Sequence, residues 1–221
     1  MAVYFVTGTD IGVGKTFCTK ALLHAARRRG RKALGFKPVA SGAGAAGENA
    51  DVTSLMRASS EPLGYKKHNC YTFKRQIPPH LAAADEGREI DIGRLDNGLD
   101  FARWHGEFVL VEGVGGWLTP LNRQYTFADW VSKQQLPVIM VAGIQTGCIN
   151  HALLTAAAIR SAGLDLAGWI ANCVSGRPDR LDDYVTTLYD RLDAPLLGVI
   201  PHLEDNAQRA ADYLAIGRLN I

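Results

Sequence analysis

The sequence predicts an α/β fold, a mostly parallel sheet with helices on both faces, in one domain spanning residues 1–221. Two observations carry this. Apolar runs with no polar interruption, such as Phe108-Val109-Leu110-Val111 and Pro137-Val138-Ile139-Met140-Val141, alternate with segments of helical spacing. Continuous apolar strands are those covered on both faces, as in parallel sheets. The first forty residues show the same alternation in its smallest form: an apolar run, a helical segment and a second apolar run. That is a βαβ unit, and its crossover is right-handed.

In chain order, residues 3–7 read as a buried strand. Residues 16–29 read as a helix with Ala21, Leu22 and Ala25 on its apolar face and Gly30 as its stop. Ala33-Leu34-Gly35-Phe36 is the second strand, ending at Lys37-Pro38. A small-residue loop, residues 43–48, leads to Asn49-Ala50-Asp51, which caps a helix running to Arg57. Residues 71–73 form a short strand. Pro78-Pro79 starts a helix over 81–86, since proline presets the helical φ, and 92–103 has helical spacing. Further strands follow at 108–111, 137–141, 166–171 and 196–200, and helices at 127–133, 149–162, 181–192 and 208–214. Asp129 and Trp130 belong to a helix face and its packing.

The first strand and helix are joined by Gly8-Thr9-Asp10-Ile11-Gly12-Val13-Gly14-Lys15-Thr16. Strand, glycine-bearing loop, Gly-Lys-Thr and helix, in that order, make a phosphate-binding P-loop, and the fold is P-loop NTPase-like. Loop and helix-start N–H groups converge on one spot, and the helix dipole adds positive potential there. Gly12 and Gly14 place no Cβ before a phosphate. Lys15 reaches the terminal phosphates, and the Thr16 hydroxyl is a ligand for Mg²⁺. Five residues separate Gly8 from Gly14 where the usual spacing is four, so the loop is a lengthened variant.

Composition narrows the class. At 47% hydrophobic and 21% charged residues, the 221-residue chain buries a full core. A net charge of +2 implies no nucleic-acid partner, and the cluster Arg27-Arg28-Arg29-Gly30-Arg31-Lys32 suits a solvated helix end. No stretch approaches the ~20 apolar residues of a membrane span. The chain enters a strand almost at once, which leaves no room for a signal peptide. Cys18, Cys70, Cys148 and Cys173 have no paired spacing, so reduced thiols and a cytoplasmic location are expected. The six histidines show no metal-ligand spacing.

Ligands of parallel sheets sit beyond the carboxyl ends of the strands. That rule selects the Gly8 loop, Lys37-Pro38, Glu112-Gly113, the stretch from Gly143, and Asn172. Glu112 closes an apolar strand, the position of a Walker-B-like acid. Thr16, Glu112 and a further carboxylate make an oxygen set for Mg²⁺. Asp51 is the third candidate by position and is equally readable as a helix cap. Lys37 lies beside the P-loop, where a cation can bind a developing anion. Trp117 is either a pocket wall or plain packing. These features alone describe an Mg-ATP-dependent enzyme of phosphoryl chemistry.

Thr7-Gly8-Thr9-Asp10, Val13-Gly14-Lys15-Thr16, Lys37-Pro38-Val39-Ala40-Ser41-Gly42, Val111-Glu112-Gly113, Gly115-Gly116-Trp117, Phe127-Ala128-Asp129-Trp130-Val131, Gly147-Cys148-Ile149-Asn150-His151 and Ala194-Pro195-Leu196-Leu197-Gly198 together resemble the dethiobiotin synthetases. The likeness runs from Val3 to about Pro201, and the lengthened P-loop is itself a mark of that family. The resemblance implies a ligase, a cyclo-ligase of biotin biosynthesis. ATP, CO₂ (or bicarbonate) and 7,8-diaminononanoate give dethiobiotin, ADP and phosphate, through a carbamate and a carbamic-phosphoric anhydride.

The resemblance also implies roles. Gly12, Val13, Gly14, Lys15, Thr16 and Phe17 hold phosphates, and Thr16, Asp51 and Glu112 hold Mg²⁺. Lys37 and Lys15 are the catalytic cations, and Ser41 meets the substrate amine. Glu112, Gly113, Val114 and Gly115 line the nucleotide and substrate. Asn172, Cys173 and the Pro201-His202-Leu203 turn hold adenine, and Gln208 stands where the family often has Glu near the ribose. A homodimer is implied, with the substrate carboxylate on Cys148, Ile149 and Asn150 of the second subunit and Tyr184 assisting. Ile11 stands where the family often has Thr, and Gly12 where some members have Glu. Both changes leave the phosphate cradle intact and point to looser triphosphate selection. Rival readings are a small-molecule kinase or amidoligase on the same sheet, and a partitioning-type ATPase switch; ATP turnover without the diamine marks the switch.

Overall fold

The computed structural model describes residues 1–219. The elements run β1 (Ala2–Gly8), α1 (Lys15–Arg28), β2 (Ala33–Phe36), β3 (Val39–Ser41), α2 (Ala50–Ala58), α3 (Tyr65–His68), β4 (Tyr71–Phe73), α4 (Pro79–Asp85), α5 (Ile92–His105), β5 (Phe108–Glu112), α6 (Phe127–Lys133), β6 (Val138–Gly143), α7 (Cys148–Ser161), β7 (Leu166–Asn172), α8 (Leu181–Arg191), β8 (Leu196–Ile200) and α9 (Ala207–Ala210), followed by single 3₁₀ turns at Ala211–Tyr213 and Ile216–Arg218.

Six strands pair in the order β2-β5-β1-β6-β7-β8, every pair parallel. Alternate residues of the central strands feed opposite faces, as the two-residue strand period requires. Phe5, Val109, Val111, Val138 and Met140 pack with Trp130 and Trp169 on one side. Tyr4, Val6, Phe108, Leu110, Ile139 and Val141 pack with Leu22 and Leu23 of α1 on the other. The predicted parallel sheet with helices on both faces is therefore present. Each fully buried aliphatic or aromatic side chain here stabilises the fold by about 1.5–3 kcal/mol.

Several differences from the expected elements have local causes. The strand expected at 71–73 is present as β4, and it pairs in parallel with an unexpected β3 as a second, two-stranded sheet; the three residues of β3 are too few for a period to register. The helix expected over 81–86 begins at Pro79, with Pro78 as its cap. α5 runs on to His105, whose ring Nδ1 bonds the Phe101 carbonyl at 2.8 Å. The helix expected over 208–214 breaks after Ala210 into a 3₁₀ turn. Asn49 is the cap of α2, its side-chain oxygen accepting from the N–H groups of Asp51 and Val52, which leaves the Asp51 carboxylate free of capping. Asp129 forms a reciprocal capping box with Thr126. Trp117 is buried edge-on to Phe5, with ring centroids 6.0 Å apart, so it packs. All four cysteines are free. No helix among the described residues is long and apolar enough to cross a membrane.

Candidate active site

Because β1, β2 and β5 are neighbours and parallel, their carboxyl ends deliver Gly8, Lys37 and Glu112 to one edge of the sheet. The loop after β1 turns into α1 through Gly14 at φ +87, with no side-chain cap on the helix. A Cβ at Gly14 would lie 2.2 Å from Asn172 Nδ2. That amide donates to the Val13 carbonyl at 2.9 Å, so the end of β7 braces the loop. The bond also settles the amide's orientation, since a carbonyl only accepts.

A cavity of 560 Å³ opens above this edge. Of the expected residues, Gly12, Gly14, Lys15, Thr16, Phe17, Lys37, Ser41, Asp51, Val114 and Gly115 line it. Val13 is buried beneath, and Glu112 is fully buried behind the wall. Thr16 Oγ1 donates to Glu112 Oε1 at 2.6 Å, and Lys37 Nζ donates to the same oxygen at 2.5 Å. Lys37 Nζ also lies 3.2 Å from Asp51 Oδ2 and 3.5 Å from the Gly113 carbonyl. The structure thus gathers Thr16, Glu112, Lys37 and Asp51 into one chain of contacts, and Asp51 joins it rather than the helix cap.

The two lysines differ in character. Burial pulls the Lys15 ammonium down to about 8, and the Lys37 charge pulls the same way; Glu112, Asp51 and Asp10 only partly offset them. Its Nζ rests on the Asp10 carbonyl at 2.9 Å. Burial opposes the Lys37 charge too, but Glu112 and Asp51 outweigh it and hold that ammonium above its usual value. Lys37 is a fixed cation, and Lys15 is one that an incoming anion would complete.

Two polar atoms at the site are buried and unpartnered among the described residues: Glu112 Oε2 and Ser41 Oγ. Such atoms are uncommon in a settled interior, and a water, an ion or a ligand atom can complete them. An orphaned carboxylate oxygen beside a hydroxyl and a second carboxylate is a hard-oxygen set that fits Mg²⁺. Among the described residues no group of three or more His, Cys, Asp and Glu gathers in a form that would hold a metal alone, so the phosphate and water shares of an Mg²⁺ shell would be needed.

Beyond Gly14 and Phe17 lies a second, smaller groove of 210 Å³. Asn172, Cys173, Pro201, His202 and Leu203 line it as expected. Val174, Glu204 and Asp205 do so as well and were missed, having no motif of their own. In the larger cavity Gln76, Pro78, Pro79, Gly116 and Thr119 were missed, although the Pro-Pro pair was visible as a helix start. Gln208 lines neither space; it is exposed, and its carbonyl accepts from Arg28 at 2.6 Å. Cys148, Ile149, Asn150 and Tyr184 also line neither cavity. The first three begin α7, whose cap is Gly147 at φ +90 with no side-chain bond.

Residues 2–210 match a family model described as an AAA domain. ATP-dependent dethiobiotin synthetase BioD 1 of Escherichia coli (strain K12) is 50% identical over 94% of this chain and 94% of its own length. The protein of the same name from Salmonella typhi is 50% identical over 98% and 97%. Among solved structures, the MinD cell division protein of Aquifex aeolicus aligns with TM-score 0.55 at 16% identity, covering 98% of this chain and 88% of that one; that likeness is one of fold.

Proposed function

We infer function here from site and family together: the chain belongs to the ATP-dependent dethiobiotin synthetases, and we propose that it closes the ureido ring of dethiobiotin from 7,8-diaminononanoate, CO₂ and ATP. The observation that carries this is Lys37, a buried cation clamped by Glu112 and Asp51 and facing the same cavity as Lys15 and Ser41. A kinase site needs the phosphate loop; a second fixed cation beside an unpartnered serine suits a substrate that itself becomes an anion.

One amine of the substrate adds to CO₂, forming a carbamate and losing a proton. A carbamate oxygen attacks the γ-phosphorus, and the bridging oxygen leaves on ADP with the bonding pair. The second amine then attacks the carbamate carbon and loses a proton, the C–O bond breaks, and phosphate leaves with the bonding pair. In this scheme Lys37 binds the carbamate oxygens and offsets charge as they attack, while Ser41 orients the neighbouring amine. Lys15 and the N–H groups from Gly12 to Phe17 hold the phosphates in line. Thr16, Asp51 and Glu112 would hold Mg²⁺, which when bound neutralises phosphate charge. Asn172 uses one of its two amide N–H donors on Val13, which leaves its oxygen and its second N–H for the edge of a base, and the oxygen suits the exocyclic amine of adenine.

We further propose a single domain, a cytoplasmic homodimer, and the start of α7 in the second subunit as the seat of the substrate carboxylate, since a helix N-terminus suits an anion. The test is phosphate release with Mg-ATP and bicarbonate, with and without the diamine, on the parent protein and Lys37→Ala. Release that requires the diamine and collapses in the variant is the expected result. Release indifferent to the diamine would overturn the acceptor and favour a kinase or switch.

A further inference from the structure

The turn after β8 carries two consecutive residues, Glu204 and Asp205, at φ +39 and +62. Neither is glycine, and residues bearing a Cβ adopt this region at a cost. Such conformations persist where surrounding contacts enforce them, and they cluster at ligand clamps. Both residues line the 210 Å³ groove opposite Gly14 and Phe17. Backbone bonds close the turn, from the Asn206 N–H to the Leu203 carbonyl at 2.8 Å and from the Ala207 N–H to the Asp205 carbonyl at 3.0 Å, and Lys20 Nζ adds the side-chain tie, donating to Asp205 Oδ1 at 2.7 Å. Phe17 and Lys20 are three residues apart on α1 and so lie along one face of it, with Gly14 just ahead of the helix. That face forms one wall of the groove and, one turn further on, holds the opposite wall by its charge.

Ordinary surface pairing does not account for the placement. Asp205 is 79% exposed, and a pair so placed adds little to global stability. It ties the polar tip of the turn, Glu204-Asp205, to α1, while Leu203 just before it packs against the core. Behind the turn, Arg28 bonds the Gln208 carbonyl at 2.6 Å and pairs with Asp212, so the rest of the segment stays attached to α1 without Lys20.

We propose that Lys20 is a positioning residue for the nucleotide: through Asp205 it sets the turn that closes on the base, and so governs affinity for the nucleoside part while leaving the phosphate cradle alone. This rests on the ATP reading above. The test is calorimetric titration of Mg-ADP, and separately of Mg-tripolyphosphate, into the parent and Lys20→Met, with thermal melts of both. Lys20→Met is expected to weaken ADP about fivefold, the size of a surface ion pair, with tripolyphosphate affinity and melting temperature unchanged. Lys20→Arg is expected to retain ADP affinity, and Lys20→Asp with Asp205→Lys to recover it. Asp205→Asn, which tolerates the left-handed backbone but lacks the charge, is expected to behave as Lys20→Met does. Unaltered ADP binding in Lys20→Met, or an equal loss for ADP and tripolyphosphate, overturns the proposal and leaves the ATP reading standing. A parent protein that binds neither probe overturns both.

Discussion

Two helix starts in this molecule are built alike and surrounded differently. α1 and α7 follow β1 and β6, adjacent parallel strands, and so open on the same edge of the sheet. Each is entered through a glycine near φ +90, and neither has a side-chain cap. Around the first stand Lys15, Lys37, Thr16, Glu112 and Asp51 in a 560 Å³ cavity. Around the second, Gln145, Thr146, Gly147 and Asn150 are exposed, and none lines that cavity. The backbone device supplies only a partial positive charge. Cations and orphaned oxygens surround the first helix start and suit it to phosphate, and among the described residues the second is not part of that cavity.

The strongest way to break the comparison is to remove the cation that distinguishes the first site. Lys37→Ala is expected to lower kcat by about two to three orders of magnitude, the scale of losing a preorganised charge-stabilising donor, as read in the phosphate-release assay. It also leaves Glu112 buried without its ammonium, so a denaturant melt should show a loss of about 3–5 kcal/mol. Adding Glu112→Gln should recover most of that stability and none of the activity; recovered activity would remove Lys37 from the chemistry.

Next come the two glycines. Gly14→Ala meets both a left-handed φ and Asn172 at 2.2 Å, so it must displace the amide that braces the loop. A nucleotide affinity loss of at least about tenfold is expected, corresponding to 1.4 kcal/mol or more. Gly147→Ala faces only the backbone cost of about 1–2 kcal/mol, with nothing nearer than His151 Cε1 at 3.9 Å. It should leave ADP affinity unchanged and raise the KM for the diamine. Equal ADP losses in the two variants would show that the starts are not functionally distinct.

A pH series sharpens the point further. The free Lys15 ammonium titrates near 8, and a bound phosphate favours its charged form. ADP affinity should therefore fall as pH rises above about 8, with proton uptake on binding seen as buffer-dependent heat. The stability sign is opposite. The folded value lies below the unfolded 10.5, so the unfolded chain binds more protons between the two, and stability of the ligand-free protein should rise across that window. The smallest effect is expected at Ile11, a cavity-lining side chain that is 75% exposed. Ile11→Thr should change stability by no more than about 0.5 kcal/mol, and turnover ratios for ATP, CTP and GTP would report any hydroxyl contact.

The main sheet was legible because its strands are continuous apolar runs, and the P-loop because its chemistry demands particular residues in a particular order. Lys37 and Glu112 were legible as strand ends. Their clasp with Asp51 was not, because Asp51 and Asn49 offer the same capping chemistry in sequence and only the fold shows which one serves. β4 was legible at residues 71–73, whereas its partner β3 was obscured by brevity and α3 by its single turn. Lys20 had no signal at all: a lysine on a helix reads as solvated until the chain returns 185 residues later with Asp205.

The sheet order also has a consequence for how the chain is made. Of the six strands described in the main sheet, β1 leaves the ribosome before the others and sits inside the sheet, yet its partners begin at Phe108 and Val138. At roughly 5–20 residues per second, it waits on the order of ten seconds for either neighbour. During that interval Phe5 and Val6, buried at the end, wait for the strands that will flank β1. Long-range parallel pairing of this kind is slow and exposes apolar strand edges. The nascent chain should therefore be a client for holding chaperones until residue 143 has emerged, and expression at lower temperature should raise its soluble yield.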